Sequence, residues 1–175
     1  MLPVTPVKRR ATANRGAKGA RVAIVRARWN EDITLALERA ALERATASGA
    51  VVSVFEVAGS FELPAAVALL ADTGRYDAIV PLGCLIRGET IHFEVLAHAV
   101  ARALMELAIT YPIAIPLGVL TLESVEQAHA RAGAEVNEGA EAMDAALEMV
   151  ALRQAVASKS RSARPRAKAK SRSTR

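Results

Sequence analysis

The sequence is short of several residue types, and each shortage excludes a class of protein. Its single cysteine, Cys84, rules out an internal disulfide framework. Aromatic residues make up 3% of the chain and are missing from its basic C-terminal tail, so nucleic-acid binding there would lack base stacking. No apolar run approaches the length of a membrane helix, and the first residues lack the order of a signal peptide. We therefore expect a soluble, cytoplasmic protein.

Acidic residues are missing from both ends of the chain. Residues 1–21 carry six Lys and Arg and no acid, and residues 153–175 carry nine and no acid. The middle holds eight basic and eighteen acidic residues, so the net charge of +5 combines a −10 core with +15 arms. Because the arms lack apolar periodicity, burial cannot offset their ordering entropy. We predict a disordered or arm-like extension at residues 1–20, one folded domain at 21–157 and a disordered tail at 158–175.

Strand and helix patterns alternate along the folded part. Apolar and β-branched runs predict strands at residues 21–26, 50–57, 78–82 and 112–120. Helical spacing predicts helices at 31–47, 90–109, 123–131 and 137–157. A further helix is predicted to open within residues 59–64 and to end at Gly74. This alternation predicts a flavodoxin-like three-layer α/β fold with a four-stranded parallel sheet and helices on both faces. The third helix is apolar around most of its girth, which indicates a homo-oligomer.

The stretch from Gly83 to Glu94 joins the third predicted strand to the third helix, which we expect to begin near Thr90. In open α/β sheets such turns bind ligands, and the free amides of the next helix attract anions. Gly88 lets the backbone approach a ligand, Thr90 can cap the helix, and His92 puts a titratable group one turn in. The pattern predicts phosphate binding beside proton transfer.

Five motifs resemble, in order and spacing across about residues 21–153, those of the 6,7-dimethyl-8-ribityllumazine synthase family. They are Arg28-Trp29-Asn30, Gly59-Ser60-Phe61-Glu62-Leu63-Pro64, the stretch from Gly83 to Glu94, Gly118-Val119-Leu120-Thr121, and Glu126-Gln127-Ala128 with Arg131-Ala132-Gly133. The resemblance implies a transferase of riboflavin biosynthesis that needs no cofactor or metal. It would condense 5-amino-6-(D-ribitylamino)uracil with 3,4-dihydroxy-2-butanone 4-phosphate, in pentamers or multiples of pentamers with sites at subunit interfaces.

The resemblance also implies a role for each site residue. His92 would move protons, and the amides of Gly88, Glu89 and Thr90 would hold phosphate with Arg131 of a neighbouring subunit. The pyrimidine and ribityl groups would contact Trp29, Ser60, Phe61, Glu62, Cys84, Leu85, Ile86 and Leu117. Each residue also has a plain structural reading. His92 could be a packed histidine, Arg131 a cation at a helix end, and Trp29 an aromatic anchor. Residues 60–62 could cap a helix, and Leu85 and Ile86 could be core side chains.

Two departures from the family pattern leave alternatives open. Leu117 stands where the family often has an aromatic residue, and Asn137-Glu138-Gly139 stands where it often has Asn-Lys-Gly. A divergent member that mainly binds a flavin or pyrimidine is one alternative. The other is a scaffold whose basic arms bind nucleic acid or acidic partners.

Other chemistries find no support in the sequence. Three histidines and one cysteine give no metal-ligand spacing, and no dinucleotide or P-loop motif is present. Cys84 is predicted to be a small buried thiol rather than a nucleophile. The number of subunits, whether five, ten or an icosahedral shell, stays open.

Overall fold

The computed structural model describes residues 17–162. In chain order the elements are β1 (Arg21–Ala27), α1 (Glu31–Ser48), β2 (Val51–Val57), α2 (Leu63–Asp72), β3 (Ala78–Ile86), α3 (His92–Thr110), β4 (Gly118–Leu122), α4 (Val125–Arg131) and α5 (Glu138–Ser162). A turn of 3-10 helix (Ser60–Glu62) leads into α2. Most of the two predicted basic arms, residues 1–16 and 163–175, lies outside the described residues.

The four strands form one parallel sheet in the order β2-β1-β3-β4. β1 is central, so Ile24 lies between Val54 of β2 and Val80 of β3. Parallel neighbours need a connection that crosses the sheet, and helices fill these crossovers. The predicted four-stranded parallel sheet with helices on both faces is confirmed.

Each face of the sheet has its own hydrophobic core. On one face, α1 and α5 enclose Ile24, Leu37 and Met143, and on the other, α2 and α3 enclose Val25 and Val67. Ile24 and Val25 are neighbours in β1 and point to opposite cores, as expected for a strand. Burial of each large apolar side chain contributes about 1.5–3 kcal/mol, so both layers of helices are held firmly against the sheet.

The third and fourth strands differ from their predicted bounds. β3 continues to Ile86, so residues 83–86, predicted as the start of a turn, pair with β4. β4 begins at Gly118 rather than at Pro112, and the segment before it forms a single bridge, between Ala114 and Ala78. Pro112 and Pro116 have no N–H group to donate to a strand ladder, which explains the late start of β4.

The third and last helices also differ from prediction. α3 begins at His92 rather than near Thr90, because Ile91 takes the cap position. α5 continues to Ser162, past the predicted end of the domain at residue 157.

The amino-terminal boundary of the folded part also differs from prediction. Residues 17–20 were predicted to belong to the basic arm, but Ala17 and Ala20 are buried.

α3 exposes much of its apolar surface. Only Val100 and Leu104 of this helix are buried, whereas Ile91, just before it, and Ile109 are each 77% exposed. An apolar face of this kind is typical of a surface that another chain covers.

Among the helices of residues 17–162, none combines the length and hydrophobicity of a membrane span.

Candidate active site

A cavity of about 410 Å³ opens at the carboxyl ends of β1 and β3, beside the amino end of α3. Parallel sheets bring the carboxyl ends of neighbouring strands to one edge, so residues distant in sequence meet there. We call this space the main cavity. Its lining residues are Trp29, Asn30, Ala58, Gly59, Ser60, Phe61, Glu62, Cys84, Leu85, Ile86, Gly88, Thr90, His92, Phe93 and Leu96. All the sequence-predicted site residues are therefore together except Glu89, Arg131 and Leu117.

Trp29 stands at the mouth of the main cavity with 74% of its surface exposed. Its backbone N–H donates to the carbonyl oxygen of Ala58 at 3.2 Å, and this bond connects the turn after β1 to the end of β2. Asn30 adopts a left-handed backbone with φ of 55°, and its Nδ2 donates to the carbonyl oxygen of Cys84 at 2.9 Å. These bonds fix the turn while the indole stays exposed, so its face is open to a planar ring.

The 3-10 turn before α2 supplies a carboxylate and a hydroxyl. Glu62 Oε2 accepts a hydrogen bond from the N–H of Gly59 at 2.9 Å, which is the glutamate half of a capping box. Ser60 is 4% exposed, and its Oγ has no hydrogen-bond partner among the described residues. A Cβ at Gly83 of β3 would lie 2.6 Å from that Oγ, so glycine is required there. An unpaired buried hydroxyl in a cavity wall is a candidate partner for a ligand.

The loop at residues 87–91 presents free backbone donors beside the cavity. The N–H groups of Gly88, Glu89 and Thr90 donate to no acceptor within residues 17–162. The amino end of α3 follows, and its dipole favours an anion. Gly88 and Thr90 line the cavity, whereas Glu89 is exposed and not part of the wall in the described chain.

His92 lines the same cavity as the first residue of α3, not one turn inside the helix as predicted. Its own N–H donates to Thr90 Oγ1 at 3.3 Å, so the threonine hydroxyl caps the helix start from two residues away. The imidazole is exposed at the cavity. A titratable group and free backbone amides therefore face one space, which suits proton transfer next to a bound anion.

Arg131 and Leu117 lie in a second, shallower depression at the outer edge of the sheet. This edge cleft, of about 250 Å³, is lined by residues 117–122, Arg131 and Glu138. Arg131 ends α4 and Glu138 begins α5, and Arg131 Nη1 lies 3.3 Å from Glu138 Oε1. Leu117 is 61% exposed. Within one chain, the predicted phosphate-binding arginine is therefore paired with a carboxylate and lies outside the main cavity.

Cys84 forms part of the inner wall of the main cavity and is 1% exposed. Burial, with a smaller contribution from Asp32, raises the pKa of the Cys84 thiol to about 11. The thiolate is the nucleophilic form, and this thiol stays protonated near neutral pH. The prediction of a small buried side chain is confirmed.

Five residues of the cavity were not among the predicted site residues, and two of these, Ala58 and Gly59, lie beside the predicted Ser60. Asn30 holds the turn after β1, and Phe93 and Leu96 complete the wall on α3. Phe93 and Leu96 are three residues apart, a spacing that puts them on one face of a helix beginning at His92. That signal was present in the sequence, whereas the left-handed backbone of Asn30 gave no signal beyond the residue type.

A larger groove of about 710 Å³ lies between α1, the start of α5 and the loop that joins α4 to α5. Its walls mix basic and acidic side chains and include none of the sequence-predicted site residues. The described residues also contain no group of three or more His, Cys, Asp or Glu side chains that could hold a metal ion. The main cavity, where several polar groups converge, is the better candidate for an active site.

Comparisons with known proteins point to one family. A family model described as 6,7-dimethyl-8-ribityllumazine synthase matches residues 19–154. A protein of that name from Methylorubrum extorquens (strain PA1) is 47% identical over 146 residues, 78% of this chain and 83% of the relative. One from Methylobacterium radiotolerans is 46% identical over 136 residues, 77% of this chain and 83% of the relative. One from Rhodopseudomonas palustris (strain BisA53) is 40% identical over 158 residues, 87% and 97% of the two chains.

Proposed function

Because this chain belongs to the 6,7-dimethyl-8-ribityllumazine synthase family, we propose that it makes 6,7-dimethyl-8-ribityllumazine in riboflavin biosynthesis. The substrates are 5-amino-6-(D-ribitylamino)uracil and 3,4-dihydroxy-2-butanone 4-phosphate. The uracil amine attacks the ketone carbonyl and water leaves to give an imine. Phosphate is then eliminated, and a second dehydration closes the ring. Each of these steps moves protons, and none needs a cofactor.

The main cavity carries this proposal because it gathers the groups that the reaction needs. An exposed aromatic face, a carboxylate, an unpaired hydroxyl, free amides and an imidazole line one space of about 410 Å³. Pockets of this size suit small-molecule substrates. No other described depression of the chain combines these groups.

The pyrimidine substrate would fit the wall formed by the ends of β1 and β3 and by the turn after β2. Trp29 would stack on the ring, and the side chains and backbone of Leu85 and Ile86 would line its edge. Glu62 uses one carboxylate oxygen for the N–H of Gly59 and keeps the other for a ribityl hydroxyl. Ser60 Oγ offers a second polar contact because it has no partner within the described chain.

His92 would serve as the general acid and base. Imine formation and phosphate elimination both need a group that titrates near neutral pH, and an imidazole is such a group. Its place at the amino end of α3, two residues beyond the free amide of Thr90, supports proton transfer close to the leaving phosphate.

The phosphate would bind the amides of residues 88–90 together with a cation from a second copy of the chain. The described wall of the main cavity contains no Lys or Arg, although the ligand is an anion. Arg131 lies in the edge cleft with Leu117, exposed enough to meet another subunit. A site shared between copies would join the two, with Arg131 as the bidentate phosphate ligand.

We extend the proposal to a homo-oligomer of five chains, or a multiple of five, in the cytoplasm. The exposed apolar residues around α3, such as Ile91 and Ile109, support burial against another chain. We assign catalysis to the predicted domain at residues 21–157 together with the packed residues at 17–20. The arms that motivate a scaffold role fall largely beyond the described residues, so no observation favours that alternative.

The direct test is to mix the purified chain with the two substrates and follow the absorbance and fluorescence of the lumazine product. We expect product and one equivalent of free phosphate without added metal or cofactor. A truncated chain of residues 17–162 should keep this activity. If the intact, oligomeric protein gives no lumazine while binding both substrates, the proposed function is wrong.

A further inference from the structure

Arg87 is the first residue of the loop that carries the free amides, and it contacts two elements, the end of β4 and the start of α3. Its Nε donates to Glu123 Oε2 at 2.5 Å, just after β4. Its Nη1 donates to Glu94 Oε1, in the first turn of α3. Its backbone N–H donates to the carbonyl oxygen of Leu122 at 2.9 Å. The guanidinium also lies over the ring of Phe93, 4.6 Å from its centroid.

These contacts are the main restraints on the loop. Between Ile86 and α3, the described chain has the hydrogen bonds of Arg87, the bond from the N–H of His92 to Thr90, and the first-turn bond of α3 from the N–H of Val95 to the carbonyl oxygen of Ile91. Glycine at position 88 removes any further side-chain anchor, and a Cβ there would meet nothing within 4 Å. The place of the loop relative to α3 therefore depends on Arg87.

Arg87 is poorly placed to bind substrate itself. Two carboxylates and an aromatic ring surround its guanidinium, and it is not among the residues that line the main cavity in the described chain. The hydrogen bonds to Glu94 and then Glu123 raise the pKa of Arg87, and the bond from Arg87 lowers the pKa of Glu94. Arg87 and Glu94 are therefore both charged at neutral pH, and the cation already has carboxylate partners.

Resting on the proposed function, we propose that Arg87 is a positioning residue that sets the distance between the phosphate-binding amides of residues 88–90 and the imidazole of His92. Its Nη1 binds Glu94 of α3, and its Nε binds Glu123 at the end of β4. The planar fork of arginine can make both bonds at fixed angles, which the single ammonium of lysine cannot. Phe93, under the same guanidinium, transmits this geometry to the cavity wall.

The test compares Arg87→Ala and Arg87→Lys with Arg44→Ala. Arg44 makes a similarly exposed ion pair, to Asp144 at 2.8 Å, outside the main cavity. Displacement of a reacting group by about 1 Å can cost roughly 100-fold in rate, so we expect Arg87→Ala to lose about 10- to 100-fold in kcat. Its KM for the phosphate substrate should rise, and its KM for the uracil should change little. Arg87→Lys should recover only a small part, and Arg44→Ala should match the unaltered protein.

Two further readouts separate positioning from a general loss of structure. Added guanidinium ion should restore part of the kcat of Arg87→Ala and none of that of Arg44→Ala. Hydrogen exchange of the hydrogen-bonded amides of residue 87, His92 and Val95 should be faster in Arg87→Ala, with unchanged exchange in β1. If Arg87→Ala does not fold, Glu123→Gln replaces it, with a smaller loss of kcat and the same local increase in exchange.

The outcomes distinguish this proposal from the proposed function. If the unaltered protein makes no lumazine, the proposed function fails, and the exchange measurement still decides the role of Arg87. Unchanged exchange at residue 87, His92 and Val95 in a folded Arg87→Ala or Glu123→Gln overturns the positioning role. Unchanged kcat and KM in those variants of an active protein overturn it as well.

Discussion

The main cavity and the edge cleft carry complementary groups and are built in different ways. The main cavity joins segments that follow β1, β2 and β3, and hydrogen bonds such as Asn30 Nδ2 to the Cys84 carbonyl fix their relation. The edge cleft is formed by β4 and the facing ends of α4 and α5. The main cavity has free backbone amides, a hydroxyl and an imidazole but no Lys or Arg in its described wall. The edge cleft has the cation, Arg131, but is shallower.

This difference follows from the order of strands in the sheet. β1 and β3 are central, so the turns after them meet under α3 and enclose a space. β4 is at the edge, so one side of it has no neighbouring strand within the described chain, and Leu117 and Arg131 beside it are exposed. A single chain therefore separates Arg131, the proposed phosphate-binding cation, from His92, the proposed proton-transfer group, and we expect assembly to bring them together.

The largest expected effect concerns the proton-transfer group of the main cavity. His92→Ala should lower kcat by about 100- to 10,000-fold, the usual contribution of a general acid and base, with KM changed only a few fold. Steady-state rates of lumazine formation measure both constants. The control is His129→Ala, an exposed histidine 3.7 Å from Asp32 and not part of the described cavity wall. Equal losses in kcat and KM, or an equal loss in the control, would remove His92 from this role.

The cation of the edge cleft should act on binding instead. Arg131→Ala should raise the KM for 3,4-dihydroxy-2-butanone 4-phosphate by about 10- to 100-fold, because a hydrogen bond to a charged group contributes about 1.5–3 kcal/mol. The KM for the uracil and kcat should change much less. Substrate titrations check this, with Arg39→Ala in the larger groove as the control. A fall confined to kcat contradicts the assignment.

Glu138 should weaken the edge cleft by competing with phosphate for Arg131. Glu138→Gln removes the carboxylate 3.3 Å from Arg131 Nη1 and keeps the size of the side chain. Because exposed ion pairs contribute only up to about 1 kcal/mol, we expect the KM for the phosphate substrate to fall about two- to fivefold. Glu141→Gln, one turn further along α5, should have no effect. A raised KM in Glu138→Gln would show that the glutamate helps the site.

The smallest effect concerns the enclosed inner wall of the main cavity. Burial raises the pKa of the Cys84 thiol from its ordinary value of 9.0 to about 11. Between these two pH values the folded chain keeps the thiol proton, whereas the unfolded chain releases it. Stability should therefore fall as the pH rises from about 9 towards 11, and Cys84→Ser should lack this part of the fall. Alkylation of Cys84, followed by mass spectrometry, should have its midpoint near pH 11. A midpoint near that of a free thiol would mean that the wall is open.

The fold and most of the main cavity were predictable because their signals are local. The motif around Gly59 and Ser60 and the stretch from Gly88 to His92 each follow a strand, and parallel topology alone brings such turns to one edge. The bounds of β3 and β4 were not predictable in the same way. Whether residues 83–86 pair or turn depends on the strand that lies beside them, and the prolines at 112 and 116 delay that strand.

The pairings of charged side chains could not be predicted either. Glu123 lies 36 residues from Arg87 in the chain, and no sequence spacing indicates that contact. The pair of Arg131 and Glu138 depends on the way α5 packs on α1 at Gly139, where a Cβ would lie 2.1 Å from the carbonyl oxygen of Leu37. Such contacts follow from tertiary packing rather than from local pattern.

The most direct measurement refolds two impaired variants together, His92→Ala and Arg131→Ala, and assays them at a phosphate-substrate concentration below the KM of the unaltered protein, where Arg131→Ala is nearly inactive. If the main cavity of one copy uses the edge cleft of another, an equal mixture should recover about a quarter of the unaltered activity, because one contact in four pairs two intact surfaces. The two variants alone, treated in the same way, set the baseline. We predict recovery to about a quarter of the unaltered activity. Activity that stays at the baseline in a well-formed mixed oligomer would contradict a site shared between copies.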